Sequence, residues 1–271
     1  MKKETLSIRF LYGTKVGRCC LKILIQPWIS KAVGAFLSTP LSRPIVTMYV
    51  KKNKVDLSAY PQRSYHSFND FFTRKRNTDQ ADTTAAHLIS PCDAYLTVYP
   101  IDDNRTYHIK HIDYHLDQLL HDPELAARYT GGTCLIFRLT PSHYHRYCFS
   151  CSGNMEAAQR INGKLHCVRP IAYTSMPVFA ENSREYVLID SPEFGKVIQM
   201  EIGALLVGKI SNHKVSFAQQ ATEKGYFEFG GSTIILLLEK DRIAIDPNLL
   251  AHPETEKDVS YGSRIGVQIK K

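Results

Sequence analysis

The sequence predicts an α+β fold: a mainly antiparallel β core, barrel- or sandwich-like, with amphipathic helices at the N-terminus. Two observations support this prediction. Residues 5–50 have apolar side chains at helical spacing, in short pieces separated by one glycine and three prolines. From Ile89 onward, short apolar runs alternate with turn residues. Because these runs follow one another without regular helical crossovers, their strands are expected to pair antiparallel.

The distribution of charge divides the chain into two parts. The 271 residues carry a formal charge of +8, and residues 1–60 contain eleven Lys and Arg but only two acidic residues, which accounts for the whole positive excess. We therefore predict a basic, membrane-associating segment over 1–60 and a domain over 61–271 that holds the chemistry. A basic segment suits an anionic surface, either nucleic acid or the cytoplasmic lipid leaflet.

The apolar residues of the basic segment distinguish these two surfaces. Aliphatic residues and Trp28 are interleaved with Lys22 and Lys31, which is typical of an amphipathic helix at a lipid interface. A helix that simply packs on the core is the alternative. No helix-turn-helix, finger or stacking module of nucleic-acid binders is evident. We therefore expect an anionic membrane surface as partner, no nucleic acid, and a peripheral protein on the cytoplasmic face of the cell membrane.

Three further features agree with that location. Lys22 and the pair Gln26-Pro27 interrupt the longest N-terminal apolar run, well short of the roughly 20 residues that a membrane span needs. The first residues lack the apolar core of a secretory signal. Seven cysteines at irregular spacing favour reduced thiols over a disulfide framework.

The domain is expected to open with a helical motif and to continue mainly as strands. Phe68, Phe71 and Phe72 share one helix face, which indicates core packing. A further helix is predicted over 114–129, because its leucines lie on one side. The apolar runs predict strands over 95–101, 133–139, 187–189, 197–202, 205–210 and 233–238.

Two glycines and a serine, Gly230, Gly231 and Ser232, come just before the apolar run 234–238. Glycine reaches backbone conformations closed to other residues, so Ser232 would lie beside a peptide bond that can be strained. Three interpretations stay open. They are a plain turn into a core strand, a phosphate-binding loop that lacks the Gly-Lys-Ser/Thr signature, and self-processing by attack of the serine hydroxyl on the preceding carbonyl. Self-processing would leave a pyruvoyl group at the new N-terminus.

A second set of residues has the side chains needed for acid–base chemistry. Asp93 follows a proline at the start of a predicted strand, where an aspartate is also a common turn residue. His143 and His145 can point to the same side of an extended segment. Together with Cys148 and Cys151 they would form an uncommon zinc set, so a histidine acting as a base is favoured and no metal is expected.

Several stretches combine these residues in a recognisable order. The stretch 224–233 reads Lys-Gly-Tyr-Phe-Glu-Phe-Gly-Gly-Ser-Thr. The others are Ser67-Phe68-Asn69-Asp70-Phe71-Phe72-Thr73-Arg74-Lys75, Ser90-Pro91-Cys92-Asp93, Tyr144-His145-Arg146, Phe194-Gly195 and Gly203-Ala204-Leu205-Leu206-Val207-Gly208. From about Ser67 to the C-terminus the chain resembles the phosphatidylserine decarboxylases, pyruvoyl-dependent enzymes that cut themselves before this serine. Several motifs in the expected order indicate a family far more specifically than any single motif does.

The resemblance implies an activity and a maturation. The chain would cut itself between Gly231 and Ser232 into 1–231 (the β chain) and 232–271 (the α chain), with a covalent pyruvoyl group derived from Ser232 as cofactor. The decarboxylase domain, 61–271, would convert phosphatidylserine to phosphatidylethanolamine through a Schiff base with the pyruvoyl group, in phospholipid biosynthesis, without metal. The enzyme would be a heterodimer of its own fragments, able to dimerise further. The alternatives are the same chemistry on another amino-acid substrate and an inactive lipid-surface scaffold.

The resemblance also assigns roles to side chains. It implies a charge relay of Asp93, His145 and Ser232, with His145 as the base in self-processing and later as the acid that protonates the product carbanion. Many relatives carry Asp-Tyr-His-Arg followed by a second histidine two residues later. Here His143 replaces that aspartate and Cys148 replaces the second histidine. His143 and Cys148 are therefore auxiliary candidates.

Overall fold

The computed structural model describes residues 6–62, 64–205, 209–229, 232–250 and 255–269. The helices are α1 (Leu6–Gly13), α2 (Lys15–Leu24), α3 (Pro27–Leu37), α4 (Arg43–Asn53), α5 (Phe68–Phe72), α6 (Leu116–Leu120), α7 (Pro123–Ala127), α8 (Pro170–Tyr173), α9 (Val178–Glu181) and α10 (Pro247–Leu250), with a 3₁₀ turn at Pro40–Ser42. The strands are β1 (His87–Ile89), β2 (Ala94–Pro100), β3 (Thr106–Ile109), β4 (Ile112–His115), β5 (Thr133–Leu139), β6 (Arg146–Cys148), β7 (Gly153–Met155), β8 (Gln159–Ile161), β9 (Arg184–Ser191), β10 (Gly195–Ile202), β11 (Ile210–Asn212), β12 (Phe217–Ala218), β13 (Glu223–Phe227), β14 (Ser232–Leu238), β15 (Ile243–Ile245), β16 (Lys257–Val259) and β17 (Arg264–Gln268).

The N-terminal segment folds into short helices, as its periodicity predicts. Thr14 caps α2, because its hydroxyl accepts a hydrogen bond from the Gly17 N–H. Pro27 begins α3, where its missing N–H is not needed. Among the described residues, no single helix is long and apolar enough to cross a bilayer. The pair α2 and α3, bent by 67° at the break between them, meets the length and composition requirements only together.

These N-terminal helices have one side on the domain and leave large apolar side chains in solvent. Leu21, Ile25 and Leu37 are buried, and the Leu165 N–H donates to the Ile25 carbonyl, which ties α2 to the domain. The segment therefore packs on the core and is also incompletely covered. Its exposed large apolar residues are Leu6, Phe10, Val16, Ile23, Trp28, Phe36, Leu41 and Met48.

The largest sheet places the strand that begins at Ser232 near its centre. Its order is β12-β7-β9-β10-β14-β5-β2-β16, with β8 beside β9, and its pairings are antiparallel. β14 lies between β10 and β5, and all its residues are buried. A strand covered on both faces shows a continuous apolar run, as 234–238 does. The predicted α+β fold with an antiparallel core is confirmed.

The two faces of β14 pack into different hydrophobic clusters. Ile235 and Leu237 belong to one cluster, whereas Ile234 and Leu236 belong to the other. Alternate residues of a strand face opposite sides of the sheet, so Ser232 shares the face of Ile234 and Leu236. The serine therefore points into the core and not toward solvent.

A smaller sheet brings two of the sequence motifs together. Its order is β11-β13-β6, and Tyr226 of β13 is paired with Arg146 of β6. The histidine motif consequently lies beside the segment that leads to Ser232. The other small sheets have the orders β1-β17-β15 and β3-β4.

The single helix predicted over 114–129 is wrong. Its first residues belong to β4, and the rest forms the two short helices α6 and α7. His121 ends α6 in a left-handed conformation, with φ of 54°. Pro123 begins α7, and a proline cannot continue a preceding helix because it lacks the N–H. The spacing of the leucines did not reveal this break between α6 and α7.

A strand was predicted over 205–210. This prediction is wrong for residues 205 and 209, and only residue 210 lies in a strand. β10 ends at Ile202, and Leu205 lies in a turn. The Leu205 N–H donates to the His166 carbonyl instead of to a neighbouring strand. Residues 206–208 lie outside the described residues. β11 begins at Ile210. Apolar composition alone did not separate a turn from a strand here.

Candidate active site

Ser232 is the first residue of β14 and is fully buried. It is paired with Leu139 of β5, and its Oγ has no hydrogen-bond partner within the described chain. A buried hydroxyl without a partner is unfavourable by about 1–3 kcal/mol. A protein that keeps such a group in its core indicates a functional use for it.

His145 lies beside the segment that leads to this serine. Its carbonyl accepts a hydrogen bond of 2.9 Å from the Phe227 N–H, at the end of β13. Its ring packs on Phe72 of α5, with ring centroids 4.0 Å apart, and it is almost completely buried. Phe72, predicted to be a core residue, thus also contacts this imidazole.

Asp93 is held by three hydrogen bonds. The two terminal nitrogens of Arg76 each donate to its carboxylate at 2.7 Å, and the Tyr261 N–H donates at 2.8 Å. The Arg76 guanidinium also lies 4.5 Å from the ring centroid of Tyr144, the residue before His145. Asp93 is therefore connected to the histidine motif through Arg76.

His143 lies in the turn that follows Leu139, the strand partner of Ser232. Its Nδ1 accepts a hydrogen bond of 3.1 Å from the Thr140 N–H, so a neutral ring carries its proton on Nε2. Burial lowers the pKa of His143, and the Asp93 carboxylate offsets part of that change. In this arrangement His143 can donate a proton through Nε2 but does not offer that nitrogen as a base.

Cys148 is fully buried in β6, and its thiol points to the Ser90 carbonyl at 3.8 Å. Burial raises the pKa of this thiol to about 12. It is therefore a protonated, weakly polar side chain at neutral pH. Among the residues that the structure describes, no group of three or more His, Cys, Asp or Glu is arranged to hold a metal ion.

A buried ion pair that the sequence did not reveal lies on the same face of the sheet as Ser232. Glu201 of β10 is paired with Ile234, and residues opposite each other across strands share a face. Its Oε2 lies 2.5 Å from the Lys224 Nζ and accepts a second hydrogen bond from Asn212. Both charged side chains are almost completely buried. A glutamate between two apolar residues, Met200 and Ile202, at the end of β10 was the available signal.

These features define a class of protein. A serine hydroxyl is buried at the start of a central strand, directly after two glycines, with no hydrogen-bond partner among the described residues. The backbone of a buried histidine is hydrogen-bonded to the segment that leads to this serine. Such a site is typical of a protein that cuts its own backbone at that serine. The class is a self-processing α+β enzyme.

Comparison with known proteins identifies the family. A family model described as "Phosphatidylserine decarboxylase" matches residues 68–267. The chain is 42% identical over 264 residues to "Phosphatidylserine decarboxylase proenzyme 2" of Clostridium acetobutylicum, covering 96% of this chain and 91% of the relative. It is 37% identical to the "Phosphatidylserine decarboxylase proenzyme" of Clostridium novyi and 37% identical to that of Desulfitobacterium hafniense strain Y51, with coverage of 97% and 92% in both cases. The chain belongs to the phosphatidylserine decarboxylase family, and the resemblance inferred from its motifs is confirmed.

Proposed function

We propose that this chain is a proenzyme that cuts itself between Gly231 and Ser232 and then converts phosphatidylserine to phosphatidylethanolamine. The observation that carries the proposal is the fully buried Oγ of Ser232, which directly follows two glycines and has no hydrogen-bond partner among the residues that the structure describes. The names of the relatives, phosphatidylserine decarboxylase proenzymes, support both the reaction and the processing.

Self-processing needs a base and a close carbonyl. His145 takes the proton of Ser232, and the serine oxygen attacks the carbonyl carbon of Gly231, so that an ester replaces the peptide bond. Loss of the Gly231 carboxylate by elimination separates 1–231 from 232–271. Water then hydrolyses the resulting enamine at residue 232 and releases ammonia, which leaves the pyruvoyl group. The two glycines matter because they present no side chain to the approaching hydroxyl.

Asp93 has a positioning role in this proposal. It holds Arg76 over the Tyr144 ring, and Tyr144 precedes the base His145. The carboxylate therefore supports the imidazole through the backbone of the motif. His143, with its Nε2 proton, is the auxiliary donor near the start of β14.

The pyruvoyl group supplies an electron sink, which stabilises the electron pair left when carbon dioxide departs. The residues of the chain provide the rest. The apolar face of β14 excludes water from residue 232, and His145 returns a proton to the substrate carbon. Neither role requires a metal or a diffusible cofactor.

The two fragments are proposed to stay together as a heterodimer. β14 belongs to 232–271, whereas its neighbours β10 and β5 belong to 1–231. Each neighbour is paired with β14 along its length, and β14 is buried throughout. Separation would expose this apolar strand to water, which is strongly unfavourable. Cutting therefore breaks one bond without releasing the α chain.

The proposed location is the cytoplasmic face of the cell membrane, with the N-terminal helices on the lipid surface. Exposed apolar side chains such as Ile23 and Trp28 lie in the same helices as the exposed Lys22 and Lys31. This combination favours binding to an anionic bilayer surface. The seven cysteines are all free thiols, which agrees with a reducing compartment.

Replacing Lys22 and Lys31 by Gln is expected to weaken binding to phosphatidylglycerol vesicles about 30-fold at low salt, since each basic residue near an anionic leaflet contributes about 1 kcal/mol. Phosphatidylglycerol is used because it is anionic without being the substrate. Co-sedimentation measures the partition coefficient. The matched control replaces Lys110 and Lys240, which are exposed and lie outside 1–60, and should bind as the wild type does. Equal binding of both double variants would contradict the proposal.

The direct test of the proposed function is mass spectrometry of the purified protein. Two polypeptides are expected, 1–231 and the 40-residue 232–271, the latter with a blocked N-terminus whose mass is that of a pyruvoyl group in place of serine. Carbon dioxide release from phosphatidylserine should scale with the fraction of cut chain. An intact chain that decarboxylates at full rate would overturn the proposal.

A further inference from the structure

The segment just before the proposed cleavage site leaves the sheet but remains fastened by side chains. β13 ends at Phe227, so Glu228 and Phe229 lie beyond its last residue. Two residues then separate Phe229 from Ser232. Because each residue spans at most about 3.6 Å of chain, the bond to be cut must lie within a short distance of Phe229.

Glu228 is bound by side chains from two parts of the chain, α5 and residues 209–211. The Asn69 Nδ2 of α5 donates to its Oε2 at 3.1 Å, and the Ser211 Oγ of β11 donates to its Oε1 at 3.0 Å. The Lys209 Nζ forms an ion pair with Oε1. The Glu228 N–H also donates to the Lys209 carbonyl at 3.1 Å. Its side chain is about four-fifths buried by these contacts, with 19% of its surface exposed.

Phe229 adds an aromatic contact on the same side. Its ring centroid lies 4.8 Å from that of Phe68 and 5.6 Å from that of Phe72, both nearly edge to face. Phe72 is the residue on which the His145 ring packs. α5 therefore contacts both the base of the proposed reaction and the segment before the bond that is cut.

We propose that Glu228 is a positioning residue for cleavage of the bond between Gly231 and Ser232. It anchors the end of the described segment to α5 through Asn69 and to β11 through Ser211, and it thereby restricts the chain that leads to this bond. The inference rests on the proposed self-processing and deepens it. A displacement of about 1 Å at a reacting centre can reduce a rate about 10²-fold, so loss of this anchor should slow cutting strongly.

The ion pair between Glu228 and Lys209 is not expected to contribute to positioning. The Lys209 side chain is 69% exposed, and exposed ion pairs contribute about 0–1 kcal/mol. The hydrogen bonds to Asn69 and Ser211 are half-buried and join separate elements. The proposal therefore predicts that removing the hydrogen bonds and removing the ion pair have different consequences.

The test follows cutting in time, from synthesis of the full chain, by denaturing electrophoresis. Glu228→Ala is expected to slow cutting about 10²-fold relative to the wild type. Glu228→Gln should restore the rate to within a few-fold, because its oxygen accepts from Asn69 and its amide reaches Ser211. Lys209→Ala should cut at nearly the wild-type rate. Glu156→Ala removes a glutamate that is mostly exposed, and it serves as the matched control.

Two further measurements separate positioning from folding. Asn69→Ala should slow cutting as Glu228→Ala does, and the double variant should be no slower than either single variant, because both remove the same anchor. In the uncut Ser232→Ala background, Glu228→Ala should retain a cooperative thermal transition.

The outcomes distinguish this proposal from the one on which it rests. Wild-type cutting by Glu228→Ala, or failure of Glu228→Gln to restore the rate, would overturn the positioning role while leaving self-processing intact. A wild-type chain that stays uncut while releasing carbon dioxide would overturn both.

Discussion

Ser232→Ala (S232A) is expected to leave the chain as one uncut polypeptide of 30.8 kDa that has lost nearly all release of carbon dioxide from phosphatidylserine. The variant lacks the only atom that can form the ester, and without the ester no pyruvoyl group arises. The loss of activity should be on the order of 10³-fold or more, as for other enzymes that lose their nucleophile. Mass spectrometry and carbon dioxide release measure the two effects separately.

The variant should fold normally. Within the described part of the chain the buried Oγ of Ser232 has no partner, so its removal takes away an unfavourable group and leaves the apolar packing of β14 in place. Ser150→Ala is the matched control, because the Ser150 hydroxyl is also fully buried and finds no hydrogen-bond partner in the described ranges. The control should be cut and active. Cutting of S232A at the same position would exclude the serine hydroxyl as the attacking group.

Replacement of the base gives an intermediate result in the same assay. His145→Gln should slow cutting about 10²- to 10⁴-fold, which is the usual contribution of a general base. His143→Gln should have a smaller effect, because its Nδ1 is already engaged by the Thr140 N–H. Equal losses in the two variants would assign the base role to the pair instead of to His145.

The second large effect is on stability and concerns the buried pair of Glu201 and Lys224. Lys224→Met is expected to lower the free energy of unfolding by about 3–5 kcal/mol, because it leaves a buried carboxylate without its counter-charge. Replacing both Glu201 and Lys224 by Met should recover most of this loss of stability, since an apolar pair of similar volume leaves no buried charge without a partner. Urea denaturation in the uncut S232A background measures the difference on a single chain.

The loss should depend on pH in a defined direction. Burial raises the pKa of Glu201, and the Lys224 ammonium offsets part of that rise. A carboxyl whose pKa is higher in the folded state binds a proton more readily there than in the unfolded chain. Its contribution to stability is therefore present at low pH and is lost as pH rises through the folded pKa. Removing Lys224 raises that pKa further, so Lys224→Met should be closest to its parent at low pH.

An exposed pair provides the comparison. Lys196→Met removes the partner of Asp190, 2.9 Å away, whose side chain is 54% exposed. Its loss should be below about 1 kcal/mol, because water solvates the carboxylate that remains. If Lys224→Met were as mild as Lys196→Met, or equally destabilised at every pH, the account of Glu201 as a buried charged group would be wrong.

Local pattern was sufficient for the elements that depend on neighbouring residues. The continuous apolar run 234–238 indicated a strand covered on both faces, and β14 is such a strand. The spacing of Phe68, Phe71 and Phe72 indicated a buried helix face, and all three are buried. It failed over 114–129, where Pro123 stops a helix that leucine spacing would continue.

The sequence by itself determined the α+β class, the family and the candidates Asp93, His145 and Ser232, because these follow from residue types in order along the chain. Only the tertiary structure decided which polar side chains are paired: Arg76 with Asp93, Lys224 with Glu201, and Asn69 with Glu228. The last pair is separated by 159 positions. No local pattern specifies such a contact, because it arises when strands and helices with independent sequences pack together and bury their polar groups against one another.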